Sequence, residues 1–138
     1  MRIRQAVMAD CPRCRDLSNI KELEWADGFR MPIDYFEAYI TENRIFLIAE
    51  HEGRVLGFVL GERITWDIGI LNALAVDHSV RGKGIGTELV RAFEKECARR
   101  GVKYVELHAS KINPKAGNFY QKLGYGKGLD LVEYVKEL

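Results

Sequence analysis

Residues 81–86 read Arg81-Gly82-Lys83-Gly84-Ile85-Gly86, and this glycine-rich stretch joins an apolar run at 68–76 to an amphipathic segment at about 84–100. A turn that leads from a strand into a helix exposes unpaired backbone N–H groups and the positive end of the helix dipole. Glycines let an anion approach the backbone, and the two cations and the Thr87 hydroxyl add hydrogen-bonding groups. The stretch predicts a pyrophosphate site; a connection that binds nothing is the alternative.

The segments on either side of this turn have the patterns of a strand and a helix. The apolar run from Ile68 to Val76 predicts a strand. Gly101 marks the end of the helix, and basic residues in its last turn suit the negative end of the helix dipole. The apolar positions that recur at helical spacing are Ile85, Leu89, Phe93 and Cys97.

Before the turn, the chain predicts a strand, two helices and a hairpin. Alternation at positions 3, 5 and 7 is typical of a strand, and Asp10 is a candidate N-cap for a helix that runs to about Leu23. Helical spacing predicts a second, short helix at 33–40. Two apolar runs at 45–49 and 55–60 flank Glu52-Gly53, which predicts an antiparallel hairpin.

After the turn and its helix, we expect a strand at 102–107, a helix from Asn113 to Leu123 and a final alternating strand from Leu129 to Val135. The order β-α-α-β-β-β-α-β-α-β predicts a mixed α/β fold. With 138 residues, no repeat and no linker, we expect a single domain, 1–138.

Composition excludes several function classes. Lys and Arg total 21 against 20 Asp and Glu, so the net charge of +1 provides no field that would attract nucleic acid or an anionic membrane. No apolar run approaches the ~20 residues of a membrane-spanning helix, and the polar start lacks the core of a signal peptide. We therefore expect a cytoplasmic protein with no nucleic-acid or membrane partner.

The cysteines are few and odd in number, which argues against a disulfide framework. Cys11 and Cys14 have the C-x-x-C spacing at a helix start, where a redox dithiol would have a stabilised thiolate, so a dithiol redox protein is an alternative. A zinc site would need two further ligands that Cys97 alone cannot supply. We expect free thiols and no metal.

Two other phosphate-binding motifs fit this sequence less well. A Walker-type loop needs a lysine that Gly84-Ile85-Gly86-Thr87 lacks, and a dinucleotide fingerprint needs a glycine where Thr87 stands. Glu106 does follow about 20 positions after the turn, as the acidic residue of a dinucleotide site would. The dinucleotide alternative is therefore weak but open.

Two linked motifs carry a more specific resemblance. Residues 81–86, preceded by Leu74-Ala75-Val76-Asp77, resemble the Arg/Gln-x-x-Gly-x-Gly/Ala signature of the GNAT superfamily of N-acetyltransferases. Downstream, Asn113-x-x-Ala116-x-x-Phe119-Tyr120-x-Lys122-x-Gly124-Tyr125 resembles the second motif of that family. The resemblance runs from about residue 71 to 125. It implies a central mixed, mostly antiparallel sheet of six to seven strands flanked by about four helices.

The resemblance also implies acetyl-CoA as cosubstrate, with no metal. The amides of 82–87 would hold its pyrophosphate, and the strand at 74–76 would diverge from its neighbour to admit the pantetheine arm. Tyr120 would act as the general acid for the departing thiolate, although a core tyrosine is the alternative. The cofactor-binding residues would be Leu74, Ala75, Val76, Arg81, Gly82, Lys83, Gly84, Ile85, Gly86, Thr87, Asn113 and Tyr120.

The general base is where this sequence departs from the family. Many members have a glutamate near position 72, where this chain has Asn72, and a carboxamide cannot accept a proton to act as a base. Glu62, Asp67 and His108 are candidate substitutes, acting through water; His108 has the most suitable ordinary pKa, about 6.5. A base supplied by solvent is the alternative.

The family resemblance implies that the loop between the first two helices covers the acceptor site, with a contribution from the central strand. Trp25, Asp27 and Phe29 would contact substrate there, with Asn72, and Asp27 would suit a cationic amine. Packing of the helix pair by Trp25 and Phe29 is the alternative. The small-molecule, peptide N-terminal and lysine classes of amine all remain open.

We therefore interpret the chain as an N-acetyltransferase that moves acetyl from acetyl-CoA to a primary amine by direct attack in a ternary complex. Family resemblance also suggests a homodimer. A non-catalytic acyl-CoA-binding or sensing module, which retains the turn but lacks a base at Asn72, is the main alternative.

Overall fold

A computed structural model of the chain describes residues 1–23, 28 and 30–138. Main-chain contacts divide the chain into two compact units, Met1–His108 and Ala109–Leu138. The first unit contains a sheet and three helices, and the second contains a fourth helix. The two units are described in turn.

The sheet of the first unit has five strands, which lie in the order of the sequence. Their bounds are β1 Arg2–Gln5, β2 Arg44–His51, β3 Arg54–Arg63, β4 Ile68–Val76 and β5 Tyr104–Glu106. Neighbouring strands are antiparallel except β4 and β5, which are parallel. The predicted mixed α/β class is confirmed, with fewer strands than the expected six to seven.

The described residues form four α-helices: α1 Cys11–Leu17, α2 Ile33–Glu37, α3 Ile85–Arg99 and α4 Pro114–Lys122. α3 was expected from its apolar spacing, and it ends in the hydrogen-bond pattern that glycine allows. Gly101 has a φ of 84°, its N–H bonds the carbonyl of Ala98, and the N–H of Val102 bonds the carbonyl of Cys97. This is a Schellman motif, so the glycine stop read from the sequence is confirmed.

The hairpin between β2 and β3 turns at Glu52 and Gly53, as expected. Their φ angles are 49° and 74°, and His51 pairs with Arg54 across a two-residue loop. Two consecutive positive φ angles give the turn type whose twist matches a right-handed strand pair. The hairpin fixes the register of β2 and β3, whose side chains are largely buried.

Side chains alternate between two packed faces of the sheet. On one face α1 and α2 cover a cluster of rings, in which Phe36 and Phe58 meet edge to face at 5.7 Å and Phe46 lies 5.9 Å from Phe58. On the other face α3 buries Leu89, Val90 and Phe93 completely. The sheet therefore forms the middle layer between α1 and α2 on one side and α3 on the other.

The first predicted helix is shorter than expected. α1 ends at Leu17, and a separate 3-10 turn follows at Lys21–Leu23. The Ser18 hydroxyl donates to the carbonyl of Arg15 at 2.6 Å, a side-chain bond that competes with continued helix. The predicted N-cap Asp10 precedes the helix but makes no cap bond, because its carboxylate accepts from Arg4 and from the Val7 N–H.

The strand expected at Leu129–Val135 is wrong for the structure as described. This segment of the second unit has no regular secondary structure, and its apolar side chains are exposed, Tyr134 by 91%. Alternating apolar residues favour a strand only when a neighbouring strand takes their backbone hydrogen bonds. Within the described residues, that segment pairs with none.

Candidate functional site

The glycine-rich turn follows the end of β4 in the first unit. After Val76 the chain makes a 3-10 turn at His78–Val80 and then passes through Gly82 and Gly84 into α3. These two glycines have φ angles of 78° and 84°, a region that other residues enter only with strain. A Cβ at either position would meet no atom within 4 Å. The backbone conformation, and not crowding, therefore requires glycine there.

The first turn of α3 is open to a ligand. Its N-cap is Gly84, which has no side chain to accept from the first amides of the helix. Residues 81–84 are exposed, and Arg81 and Lys83 add two cations beside the positive end of a 15-residue helix. Free amides, positive charge and an unobstructed backbone fit a pyrophosphate at this turn.

Asp77 anchors the entry to the turn. One carboxylate oxygen accepts from Arg13 of α1 at 2.5 Å and from Arg54 of β3 at 2.7 Å, and the other accepts from the N–H of Ser79 at 2.9 Å and its hydroxyl at 2.8 Å. The hydrogen bonds from Ser79, followed by that from Arg54, hold the pKa of Asp77 far below its usual range. The carboxylate ties the turn to α1 and β3.

β4 and β5 separate part of the way along β4. Their paired residues are Ile68 with Tyr104, Gly69 with Val105 and Ile70 with Glu106. Within the described chain, the remainder of β4, residues 71–76, has no partner on the β5 side. The open edge includes the positions 74–76 for which the sequence predicted divergence.

A bulge in β4 reorients Asn72. Leu60 of β3 pairs with Ala73 and the next residue, Gly61, pairs with Leu71, so Asn72 has no partner opposite it. A bulge re-aims the side chain of its extra residue. Here the Asn72 Nδ2 donates to the hydroxyl of Tyr39 at 2.7 Å.

The candidate bases have different surroundings. Glu62 of β3 forms an ion pair with Arg44 at 2.7 Å, and 29% of its side chain is exposed. Asp67 accepts a hydrogen bond from Thr65 at 3.2 Å in the β3–β4 connection. His108 follows β5 and is exposed. Of these three candidates, Glu62 is the one that an arginine holds on the α2 side of the sheet, next to the bulge.

The second unit contains the two remaining cofactor candidates. Asn113 is the N-cap residue of α4 but makes no side-chain cap bond. The Tyr120 ring lies 5.0 Å from Phe119 and 5.7 Å from Tyr125, and burial raises the pKa of Tyr120 to about 12. A phenol with that pKa is protonated at neutral pH, as a general acid must be.

The other predicted residues lie elsewhere or outside the described part. Trp25, Asp27 and Phe29 are outside the described residues. The thiols of Cys11 and Cys14 are free and buried, and burial raises the pKa of both. A raised pKa is the reverse of what a redox dithiol needs.

The described residues contain neither a metal-binding cluster nor a membrane-spanning helix. No group of three or more His, Cys, Asp or Glu side chains there could hold a metal ion. No helix in that part of the chain is long and apolar enough to cross a membrane.

Sequence reasoning missed the partners that hold these residues. Tyr39 lies in the segment 33–40, for which helical spacing predicts only a helix, and its hydrogen bond to Asn72 joins residues 33 positions apart. Arg13 and Arg54 meet Asp77 across 64 and 23 positions. Nothing in their local sequence signals these contacts.

Comparison with known proteins adds independent findings. The model of the acetyltransferase (GNAT) family matches residues 12–125. An uncharacterized N-acetyltransferase of Methanocaldococcus jannaschii is 30% identical over 130 residues, which cover 89% of this chain and 80% of that protein.

Solved structures share the fold. A transcriptional regulator from Bacillus halodurans C-125 has a TM-score of 0.82 at 19% identity, with 98% of this chain and 99% of that one covered. The aminoglycoside N-acetyltransferase AAC(6')-Iy in complex with CoA has a TM-score of 0.81 at 20% identity, with 99% and 95% covered. At these identities the likeness shows the fold alone.

Proposed function

This chain belongs to the GNAT family of acetyltransferases and is an N-acetyltransferase, and we propose that it transfers acetyl from acetyl-CoA directly to a primary amine in a ternary complex. The observation that carries the proposal is the combination of an uncapped α3 N-terminus with an open β4 edge leading away from it. A pyrophosphate site and a site for an extended arm would thus occur in series on one strand-turn-helix unit.

The glycine-rich turn would hold the pyrophosphate. The amides of 82–87 would donate to its oxygens, Arg81 and Lys83 would offset its charge, and the Thr87 hydroxyl would add a donor. When bound, acetyl-CoA would supply an activated acetyl group as a thioester. The open edge at Leu74 to Val76 would offer backbone groups to the pantetheine arm. The family resemblance implies that Asn113 is also a ligand of the cofactor.

Tyr120 would supply the proton that the leaving thiolate needs. Its raised pKa keeps the phenol protonated through the neutral range, since burial disfavours the charged phenolate. Proton donation to a leaving group by a positioned side chain contributes about 10²- to 10⁴-fold to a rate. None of the three cysteines would carry the acetyl group, because all three are buried.

The proton of the amine would leave through water. Asn72 cannot accept it, and Glu62, which lies 2.7 Å from Arg44, would draw a cationic amine to the site. His108 would be the alternative base. Direct attack then requires only a neutral amine beside the thioester, with solvent as the final proton acceptor.

Binding and turnover test the proposal separately. Acetyl-CoA is expected to raise the unfolding temperature of the protein in a concentration-dependent way, because a ligand that binds only the folded state stabilises it by mass action. NADH serves as the control for the dinucleotide alternative. CoA release would be measured with a polyamine, an aminoglycoside, a peptide with a free N-terminus and an N-acetylated peptide containing lysine.

The outcomes distinguish an N-acetyltransferase from a non-catalytic acyl-CoA-binding module. Release of CoA with one amine class supports the transferase and identifies the acceptor class. Stabilisation by acetyl-CoA with no turnover on any class would favour the acyl-CoA-binding module, which Asn72 in place of a carboxylate suggests. Stabilisation by NADH but not by acetyl-CoA would refute the cofactor assignment.

A further inference from the structure

A polar cluster lies on the α2 side of the sheet, next to the β4 bulge. We name this group the bulge cluster, and its members are Tyr35, Tyr39, Arg44, Glu62 and Asn72. The contacts within it come from α2 and the turn after it, β2, β3 and β4, so four separate parts of the chain converge there. Such convergence in one patch requires an explanation beyond packing.

Tyr39 is the fixed centre of the cluster. Its side chain is buried, with 5% of the residue exposed. The ring lies 5.2 Å from Tyr35 and 6.5 Å from Phe46, and the Cζ of Arg44 lies 4.8 Å from its centroid. Contacts on several sides hold the ring, so the hydroxyl has a defined position.

That hydroxyl orients Asn72. The Asn72 Nδ2 donates to it at 2.7 Å, although Asn72 itself is exposed. A carboxamide has a donor nitrogen and an acceptor oxygen. One of the two N–H groups on that nitrogen bonds Tyr39, and this bond orients the carboxamide oxygen, which can accept from an incoming molecule. An exposed carboxamide held by a buried phenol is therefore a pre-oriented hydrogen-bond acceptor.

The cluster also carries a held carboxylate. Arg44 bonds Glu62 at 2.7 Å and also donates to the carbonyl of Ala38 at 3.0 Å. Glu62 pairs across the sheet with Ile70, two residues before Asn72 along β4. A carboxyl group and an amide oxygen thus lie on the same face of neighbouring strands, a combination that suits an ammonium or amine N–H.

Asn72 is also suitably placed along β4. The β4–β5 pairing ends at Ile70, and Asn72 lies on the open edge just beyond it. At about 3.3 Å per residue, it is roughly 13 Å back along the strand from Val76, where the turn begins. The phosphate end and the amine end of the site would then lie at opposite ends of the open edge.

We propose that Asn72 is a positioning residue for the acceptor amine. Its carboxamide oxygen accepts a hydrogen bond from the amine N–H, Tyr39 fixes the carboxamide, and Glu62 provides the negative charge that selects a cationic amine. This inference rests on the proposed function. Asparagine at this position is therefore a non-titrating amine-binding group, and its lack of a basic carboxylate is compatible with catalysis.

The test compares three variants with a matched control. Asn72→Ala and Tyr39→Phe are expected to raise the KM for the amine about fivefold to tenfold, because each removes one hydrogen bond of the arrangement. The acetyl-CoA Kd, measured by calorimetry, is expected to change less than twofold. Asn43→Ala removes an exposed asparagine before β2 and is expected to change neither.

Asn72→Asp provides the rescue. The aspartate keeps an acceptor oxygen, so the amine KM is expected to stay near the wild-type value. It also adds a titratable group, so kcat/KM is expected to acquire a second acidic limb in addition to the one that ionisation of the amine gives the wild type. A merely structural role for Asn72 would produce no such limb. Thermal unfolding of each variant checks that Tyr39→Phe remains folded.

A binding measurement keeps the inference separate from turnover. The side-chain amide resonance of Asn72, identified by its loss in Asn72→Ala, is expected to shift when the amine panel is added to the CoA-bound protein. A shift without turnover would refute the proposed function and support this inference. No shift with any amine, or an unchanged amine KM in Asn72→Ala, would overturn it.

Discussion

Arg13 of α1 and Asp77 form an ion pair with a separation of 2.5 Å, just before the glycine-rich turn. Arg54 of β3 bonds the same carboxylate oxygen at 2.7 Å, and the 3-10 turn bonds the other through Ser79. Two flanking elements therefore hold the residue from which the turn departs. This network is independent of the ligand, so it sets the position of the turn before any anion binds.

Asp77→Asn is expected to weaken acetyl-CoA binding about threefold to tenfold. The amide keeps an acceptor for Ser79 but loses the charge that holds two arginines, so the turn is less well positioned. Calorimetric titration of acetyl-CoA measures the effect, and the amine KM should not change. Asp16→Asn, an exposed aspartate in α1, is the control. Equal affinity in both variants would contradict the positioning role.

Gly84→Ala is expected to destabilise the protein by about 1–2 kcal/mol and to weaken acetyl-CoA binding. The φ of 84° is strained for alanine, whereas the surrounding space is open, so the cost comes from the backbone alone. Urea unfolding gives the free energy.

Gly117→Ala in α4 is the matched control for that substitution. Gly117 has no positive φ and equally open surroundings, so alanine there is expected to stabilise its helix by up to about 1 kcal/mol. The two substitutions must change the free energy of unfolding in opposite directions. If both destabilise the protein, packing and not backbone conformation determines the effect at Gly84.

Local signals account for what the sequence predicted well. The helix from Ile85, its glycine stop and the hairpin turn at Glu52-Gly53 depend on residues within a few positions of each other. The fold class and the position of the turn follow from them. Asn72 could be singled out because the resemblance directs attention to its position.

Cross-chain contacts account for what the sequence did not reveal. The β4 bulge arises from the register with β3. The hydrogen-bond partner of Asn72 is Tyr39, and the local pattern at 33–40 predicts a helix but not this contact. The expected strand at 129–135 failed for a related reason. Alternation is a local property, whereas strand formation depends on a neighbour that the pattern does not specify.

Tyr120→Phe is expected to lower kcat about 10²-fold or more and to change acetyl-CoA affinity far less, because the ring remains and only the proton donor is lost. Since burial raises the pKa of Tyr120 to about 12, the acid form should persist across the neutral range, with no loss of kcat from its ionisation below about pH 11. Tyr134→Phe, at an exposed position, is the control. A kcat within twofold of the wild type would exclude Tyr120 as the acid.

Glu96 offers a pH test of stability. The carboxylate of this α3 residue accepts from Arg99 at 2.6 Å and from Arg100 at 2.8 Å, and these bonds, first that of Arg99, lower its pKa to about 2. A pKa that is lower in the folded state stabilises the protein above the unfolded value of about 4.5. That stabilisation is lost as pH falls toward 2.

Glu96→Gln is therefore expected to be less stable than the wild type at pH 7, with the difference shrinking below pH 4.5 and vanishing near pH 2. Because the arginine partners are partly exposed, solvent screening limits the effect to a modest one. Urea unfolding at pH 7, 4 and 2 measures it, with the exposed Glu133→Gln as control. A difference that stays constant across this range would mean that Glu96 contributes through packing and not through its charge.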